Sequence, residues 1–170
     1  MNRSICNTLL SVVMLSTLMA CEAPKTPVAS GASIEQGRSN MPRLILQKKS
    51  AYNFEVTVAR IRAAINARPL NLFGEVKHSV GAQKVELDLA PSTLFIFGNP
   101  KGGTPLMSRN PEMGIELPLK IHVFEKDGQV TVSYTNIEAV AVTYGLDATL
   151  QPIPNISAML EGLVGSVLAK

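Results

Sequence analysis

The chain predicts a single α+β domain, and three observations carry that reading. Residues 117–125 and 129–135 alternate apolar and polar side chains on either side of Asp127-Gly128. That pair marks an antiparallel hairpin, because both central residues of a type I′ turn take positive φ. Apolar side chains recur at helical spacing in two stretches, at Phe54, Val58, Ile61 and Ile65 and again from Ile156 to Leu168. Leu94-Phe95-Ile96-Phe97 is apolar throughout and too short for a buried helix, so it reads as a central strand covered on both faces.

The elements follow in order. Arg3 gives a short basic segment, and residues 5–20 are then almost wholly apolar or small. This run is shorter than the roughly 20 apolar residues that span a bilayer as a helix, and it fits the apolar region of a secretory signal peptide. It ends in Leu18-Met19-Ala20-Cys21, which resembles a lipobox. The resemblance implies a signal peptide over residues 1–20, cleavage before Cys21, a diacylglycerol thioether on Cys21 and acylation of the new amino group. Two or more acyl chains anchor stably where one is marginal. Of the two cysteines, Cys6 leaves with the signal peptide and Cys21 carries lipid. The mature chain then has no free thiol for a disulfide, thiolate catalysis or a Cys-based metal site, which suits an oxidising extracytoplasmic compartment. Glu22 follows the cysteine, where an Asp resembles an inner-membrane retention signal. In a Gram-negative host the expectation is therefore the outer membrane, facing the periplasm.

Residues 21–41 are rich in Pro, Ala, Ser, Gly and Thr without a hydrophobic period, and read as a flexible tether. Residues 42–170 are enough for one domain with a core. The net charge of +3 is mild, there is no Trp, and Lys48-Lys49 is the only basic run. The electrostatic footprint of a nucleic-acid binder is missing.

A first strand is expected from Leu44 to about Ser50. Asn53 is a good N-cap for the helix that follows, with Glu55 in its first turn and Pro69 beyond its end. Leu70, Leu72 and Val76 alternate into a second strand, with His78 continuing their face at its end. Residues 80–87 read as a short helix, 94–97 as the central strand, and 101–116 as a loop with one helical turn around Leu106. In the hairpin, Val123 is expected opposite Val132 and Ile121 opposite Tyr134. On the polar side His122 faces Ser133 and Lys120 faces Thr135. Residues 138–144 read as a helix, and Asn155 as the cap of a last one whose apolar stripe covers the core.

With the chain laid out, residues from Ser50 to about Tyr144 resemble the domain of unknown function 302 family. The resemblance rests on Thr57-Val58-Ala59-Arg60-Ile61, His78 with Ala82, Leu89-Ala90-Pro91-Ser92-Thr93-Leu94 and Phe97-Gly98-Asn99-Pro100. Gly103-Thr104-Pro105-Leu106-Met107, Leu117-Pro118-Leu119-Lys120 and Tyr134 complete it. It implies a curved, mostly antiparallel sheet packed by helices, similar to the TATA-box-binding-protein-like architecture. Fold does not fix function, and the family brings no activity. Lys77 stands where members often have an acidic residue, and Asn136-Ile137 where they often have Asp-Pro.

His78 is the most suggestive side chain, because its pKa is tunable near neutrality. It reads either as an acid/base or as a hydrogen-bonded structural residue, the second being favoured because no partner is legible nearby. Asn99, Pro100, Gly102, Gly103 and Thr104 form a loop that either offers backbone N–H groups to an anion or simply turns the chain. Met107, Met113, His78 and His122 are soft-metal donor types without ligand spacing, so no metal site and no cofactor are expected. His122 is read as solvated on the polar face of the hairpin. Hydrolase elbows, His-Glu-x-x-His motifs and P-loops are absent. The expected function is a binding module, with a shallow ligand site drawn from His78, Asn99, Thr104, Met107, Lys120 and Tyr134. Its occupant would be a small ligand or an envelope protein. The alternatives are an enzyme using His78 as acid/base and a homodimeric interaction protein.

Overall fold

The computed structural model describes residues 43–169. The signal peptide, Cys21 and the tether expected at the N-terminus lie outside the described residues. The first strand is β1 (Ile45–Lys49), followed by α1 (Phe54–Asn66). Asn53 caps α1 as expected, its side chain accepting from the Val56 N–H at 2.9 Å. The chain continues through β2 (Asn71–Lys77), α2 (His78–Gln83), β3 (Ser92–Gly98) and α3 (Pro100–Arg109). A 3₁₀ turn (Pro111–Ile115) leads to β4 (Leu119–Lys126), β5 (Gln129–Thr135), α4 (Ile137–Thr143) and α5 (Ile153–Leu168).

The five strands form one sheet in the order β1-β5-β4-β3-β2, and every pairing is antiparallel. The expected α+β class holds. The β4–β5 hairpin has the expected turn, with φ of 51° at Asp127 and 74° at Gly128. Its register is also as expected: Ile121 lies opposite Tyr134, His122 opposite Ser133 and Val123 opposite Val132.

Alternation along each strand sorts the side chains between two faces. Phe95, Phe97, Ile121, Val123, Val132 and Tyr134 share the buried face, and join Ile61 and Ile65 of α1 and Leu160, Leu163 and Val164 of α5 in one core. The apolar stripe of α5 therefore covers the core. Its helix begins at Ile153 rather than at an Asn155 cap, with Pro154 in the first turn where its missing N–H costs nothing.

Three further expectations change. The central strand is β4; β3 lies next to the edge, and of its apolar residues 94–97 only Phe95 and Phe97 are buried, Leu94 and Ile96 being half-buried on the opposite face. The stretch read as a loop contains α3, three turns long, because Asn99 caps it, Pro100 fits its first position and Leu106 is fully buried. The third change moves His78. A β-bulge leaves Phe73 unpaired between Leu72, opposite Phe97, and Gly74, opposite Ile96. One extra residue reverses the alternation. Leu72 thus faces the core, whereas Val76 faces the other side and is 42% exposed. The strand ends at Lys77, and His78 opens α2.

Candidate functional site

A cleft of about 340 Å³ lies where the end of β3, the first turns of α3, the approach to β4 and the start of α5 meet. Its walls are Leu70, Phe73, Met107, Leu117, Ile156 and Met159, with Asn99 and Thr104 supplying the polar side chains. The room comes from glycine. A Cβ on Gly102 would touch Ile156 at 3.6 Å, and one on Gly103 would stand 3.3 Å from Leu117 Cδ1. Ordinary side chains at those positions would occupy the cleft wall.

Asn99 holds this arrangement together. Its Oδ1 accepts from the Lys101 N–H at 2.9 Å, capping α3, and its Nδ2 donates to the Pro69 carbonyl at 2.7 Å. The side chain thereby ties α3 to the start of β2. Its hydrogen-bonding groups are engaged by backbone, so Thr104 is the freer polar group of the cleft. Such a lining, mostly apolar with one or two polar groups, is the composition of small-molecule sites, whose volumes begin at about 300 Å³.

Of the six residues expected to form one site, Asn99, Thr104 and Met107 come together here, and the other three do not. Tyr134 lies under α5, 2% exposed, and its hydroxyl donates to Glu161 Oε1 at 2.9 Å. Burial, then the hydrogen bond to Glu161, pushes its pKa up to about 12. Glu161 also meets Lys48 Nζ at 3.4 Å, so this group joins α5 to β1 and β5. Lys120 is on the face of the sheet away from α1 and α5, and its Nζ donates to the Glu116 carbonyl at 3.0 Å. His78 is exposed and packs edge-on against His122, with ring centres 5.9 Å apart.

His122 is half-buried rather than solvated, a correction that follows from its neighbours. Its ring stacks on Phe124 at 5.1 Å, and its Nε2 lies 2.8 Å from Ser92 Oγ. Burial first, and then the nearby His78, lower its pKa below the ordinary imidazole value. Among the described residues no three His, Cys, Asp or Glu side chains converge as a metal cluster, and no helix is long and apolar enough to cross a membrane. Sequence reasoning missed the apolar walls of the cleft and the Ser92–His122 contact. The Gly102-Gly103 pair was a usable signal for the first. The second needs the β3–β4 pairing, which no local pattern gives.

A solved structure of similar fold is that of an uncharacterized conserved DUF302 protein from Bacillus stearothermophilus, with a TM-score of 0.59 at 15% identity. The match covers 75% of this chain and 97% of that one. In sequence, the chain is 36% identical over 87 residues to proteins named fluoride-specific ion channel FluC 1, from Brucella suis and Brucella abortus. That match takes in 51% of this chain, and 34% and 32% of those relatives, so the chain spans only about a third of their length. Residues 46–164 match the domain of unknown function DUF302, and on that match the chain belongs to the DUF302 family.

Proposed function

We propose that the domain is a binding module, held at a membrane through a lipid on Cys21, that takes a small, largely apolar ligand in the cleft beside α3. The observation that carries the reading is the cleft itself: about 340 Å³, walled by Leu70, Phe73, Leu117, Ile156 and Met159, and kept open by two glycines inside a helix. A glycine in a helix interior costs about 0.5–1 kcal/mol relative to alanine. Two adjacent ones in α3 have no turn to make, since neither takes positive φ. Their small size at the wall is what the arrangement uses. Thr104 orients the bound molecule, and Met107, at the rim and partly exposed, adapts to its shape.

Membrane attachment is supported by the lipobox resemblance at residues 18–21. The relatives named as ion channels are themselves membrane proteins by that name, which fits a domain that works beside a bilayer. Replacing the acyl-accepting cysteine tests the anchor: the Cys21→Ser chain is expected in the soluble fraction of cells whose native chain sediments with membranes. Equal partition of the two sinks it.

The cleft is tested by thermal unfolding with a panel of short aliphatic and aromatic compounds. A ligand raises the midpoint in proportion to its affinity and concentration. Compounds that shift the native protein are expected to lose that effect in Met107→Trp, which fills the rim. If no compound moves the midpoint, or if the shifts survive the tryptophan, the reading fails.

A further inference from the structure

The chain contains two histidines, and the fold brings them together from 44 positions apart in sequence, on the sheet face away from α1 and α5. We propose that His78 and His122 hold a borderline divalent transition-metal ion, of the class of Cu²⁺ and Zn²⁺, with Ser92 fixing the inner imidazole. The site is separate from the apolar cleft and shares none of its lining residues.

Two features support it. The first is distance. Metal–imidazole bonds are about 2.0–2.1 Å long, so two imidazoles on one tetrahedral ion stand ~5 Å apart centre to centre. The rings are at 5.9 Å, and the exposed His78, at the first position of a six-residue helix, needs to move by less than an ångström or so to close the gap. The second is orientation. Metal-bound histidines almost always donate their other ring N–H to a hydrogen-bond acceptor, which fixes tautomer and ring plane. Ser92 Oγ, buried and 2.8 Å from Nε2 of His122, serves as that acceptor in the Nε2–H tautomer, which leaves Nδ1 for an ion. Stacking on Phe124 holds the same plane.

Imidazoles without thiolates select Zn²⁺, Cu²⁺ and Ni²⁺ over hard cations, and affinity rises to Cu²⁺ in that series. With two protein ligands the remaining positions belong to water, so the ion is exchangeable and open to an anionic or carbonyl ligand. The test is titration of the full-length chain with Zn²⁺ by calorimetry and with Cu²⁺ by electron paramagnetic resonance. One saturable site is expected, with superhyperfine splitting from two nitrogens. Ser92→Ala is expected to weaken binding about tenfold, the usual cost of losing such a supporting partner, and His78→Ala by more. His78 is exposed, so that variant keeps its fold, which circular dichroism checks. His122→Phe preserves the stack on Phe124 and should abolish the two-nitrogen signal. Absence of a saturable site, or one that survives unchanged in His78→Ala, overturns the proposal.

Discussion

Gly102→Ala is expected to stabilise the protein while weakening ligand binding in the cleft. Gly102 is the third residue of α3 and does not take positive φ, so an alanine fits the backbone as it stands. The new Cβ would lie 3.6 and 3.7 Å from Ile156 Cδ1 and Cγ1, ordinary van der Waals contact. Removing glycine's freedom in the unfolded chain contributes about 0.4–1 kcal/mol. A methyl packed on one side adds a fraction of the ~0.8 kcal/mol of a fully buried methylene. The sum is about 1 kcal/mol, which for a domain of this size raises the unfolding midpoint by about 3 °C. The same methyl narrows the cleft against Ile156, so any compound found to bind should bind less tightly. Gly103→Ala is the control. Its Cβ would stand 3.3 Å from Leu117 Cδ1, closer than side chains normally pack, and the strain of moving Leu117 offsets the entropic gain, leaving the midpoint nearly unchanged. Calorimetric unfolding of the two variants beside the native protein decides the matter. A lower midpoint for Gly102→Ala, or equal gains for both, refutes the reasoning.

Two further outcomes follow from the same geometry. Gly128→Ala is expected to cost about 1 kcal/mol in urea unfolding, the price of a left-handed residue with a Cβ, because φ is 74° there while the space around it is open; a neutral result would mean the hairpin turn relaxes freely. Glu75 receives both Arg62 Nε and Nη2, the latter at 2.8 Å, and the hydrogen bond to Arg62 is the main cause of its lowered pKa. A depressed carboxyl pKa stabilises the fold above the unfolded value of about 4.3 and ceases to do so as pH falls through the folded value. Glu75→Gln should therefore be less stable than the native protein by about 1 kcal/mol at pH 7, a modest figure because the pair is partly solvated, and the deficit should shrink as pH falls through the lowered folded-state pKa of Glu75. A deficit that stays constant into acid would show that packing, rather than charge, is what the substitution removes.

The sequence was most legible where one local rule sufficed. Asp127-Gly128 specified its turn, the turn specified the register, and the hydrophobic alternation agreed with both. Asn53 at the start of α1 and the stripe of α5 were equally readable, because capping and helical periodicity act within a few residues. The α3 helix was not. Two glycines and an internal Pro105 lower its intrinsic propensity, and burial of Leu106 in the core overrides that preference. Asn99, Thr104 and Met107 were legible as a group because α3 keeps them close in space. Tyr134 and Lys120 were drawn into the same expectation, yet strand alternation separates them. Tyr134 points under α5, and Lys120 points to the other face.

His78 shows how a single residue in the chain can relocate a site. Without a bulge, strict alternation from Leu72 through Val76 would carry His78 toward the core, where a histidine needs a buried partner. The unpaired Phe73 shifts the pairing by one, so that Glu75 faces Arg62 of α1 and Val76 turns outward with Leu94. The chain then leaves the strand on the outer face, and α2 begins there, against β3, with His78 beside His122. The two imidazoles meet because the bulge absorbs that extra residue. Deleting Phe73 would leave Glu75 opposite Phe95 and Val76 opposite Leu94, whereas keeping it in a regular ladder would turn Val76 inward and send Glu75 away from Arg62. The charge pair under α1 and the histidine pair on the outer face thus depend on the same bulge, although they lie on opposite sides of the sheet.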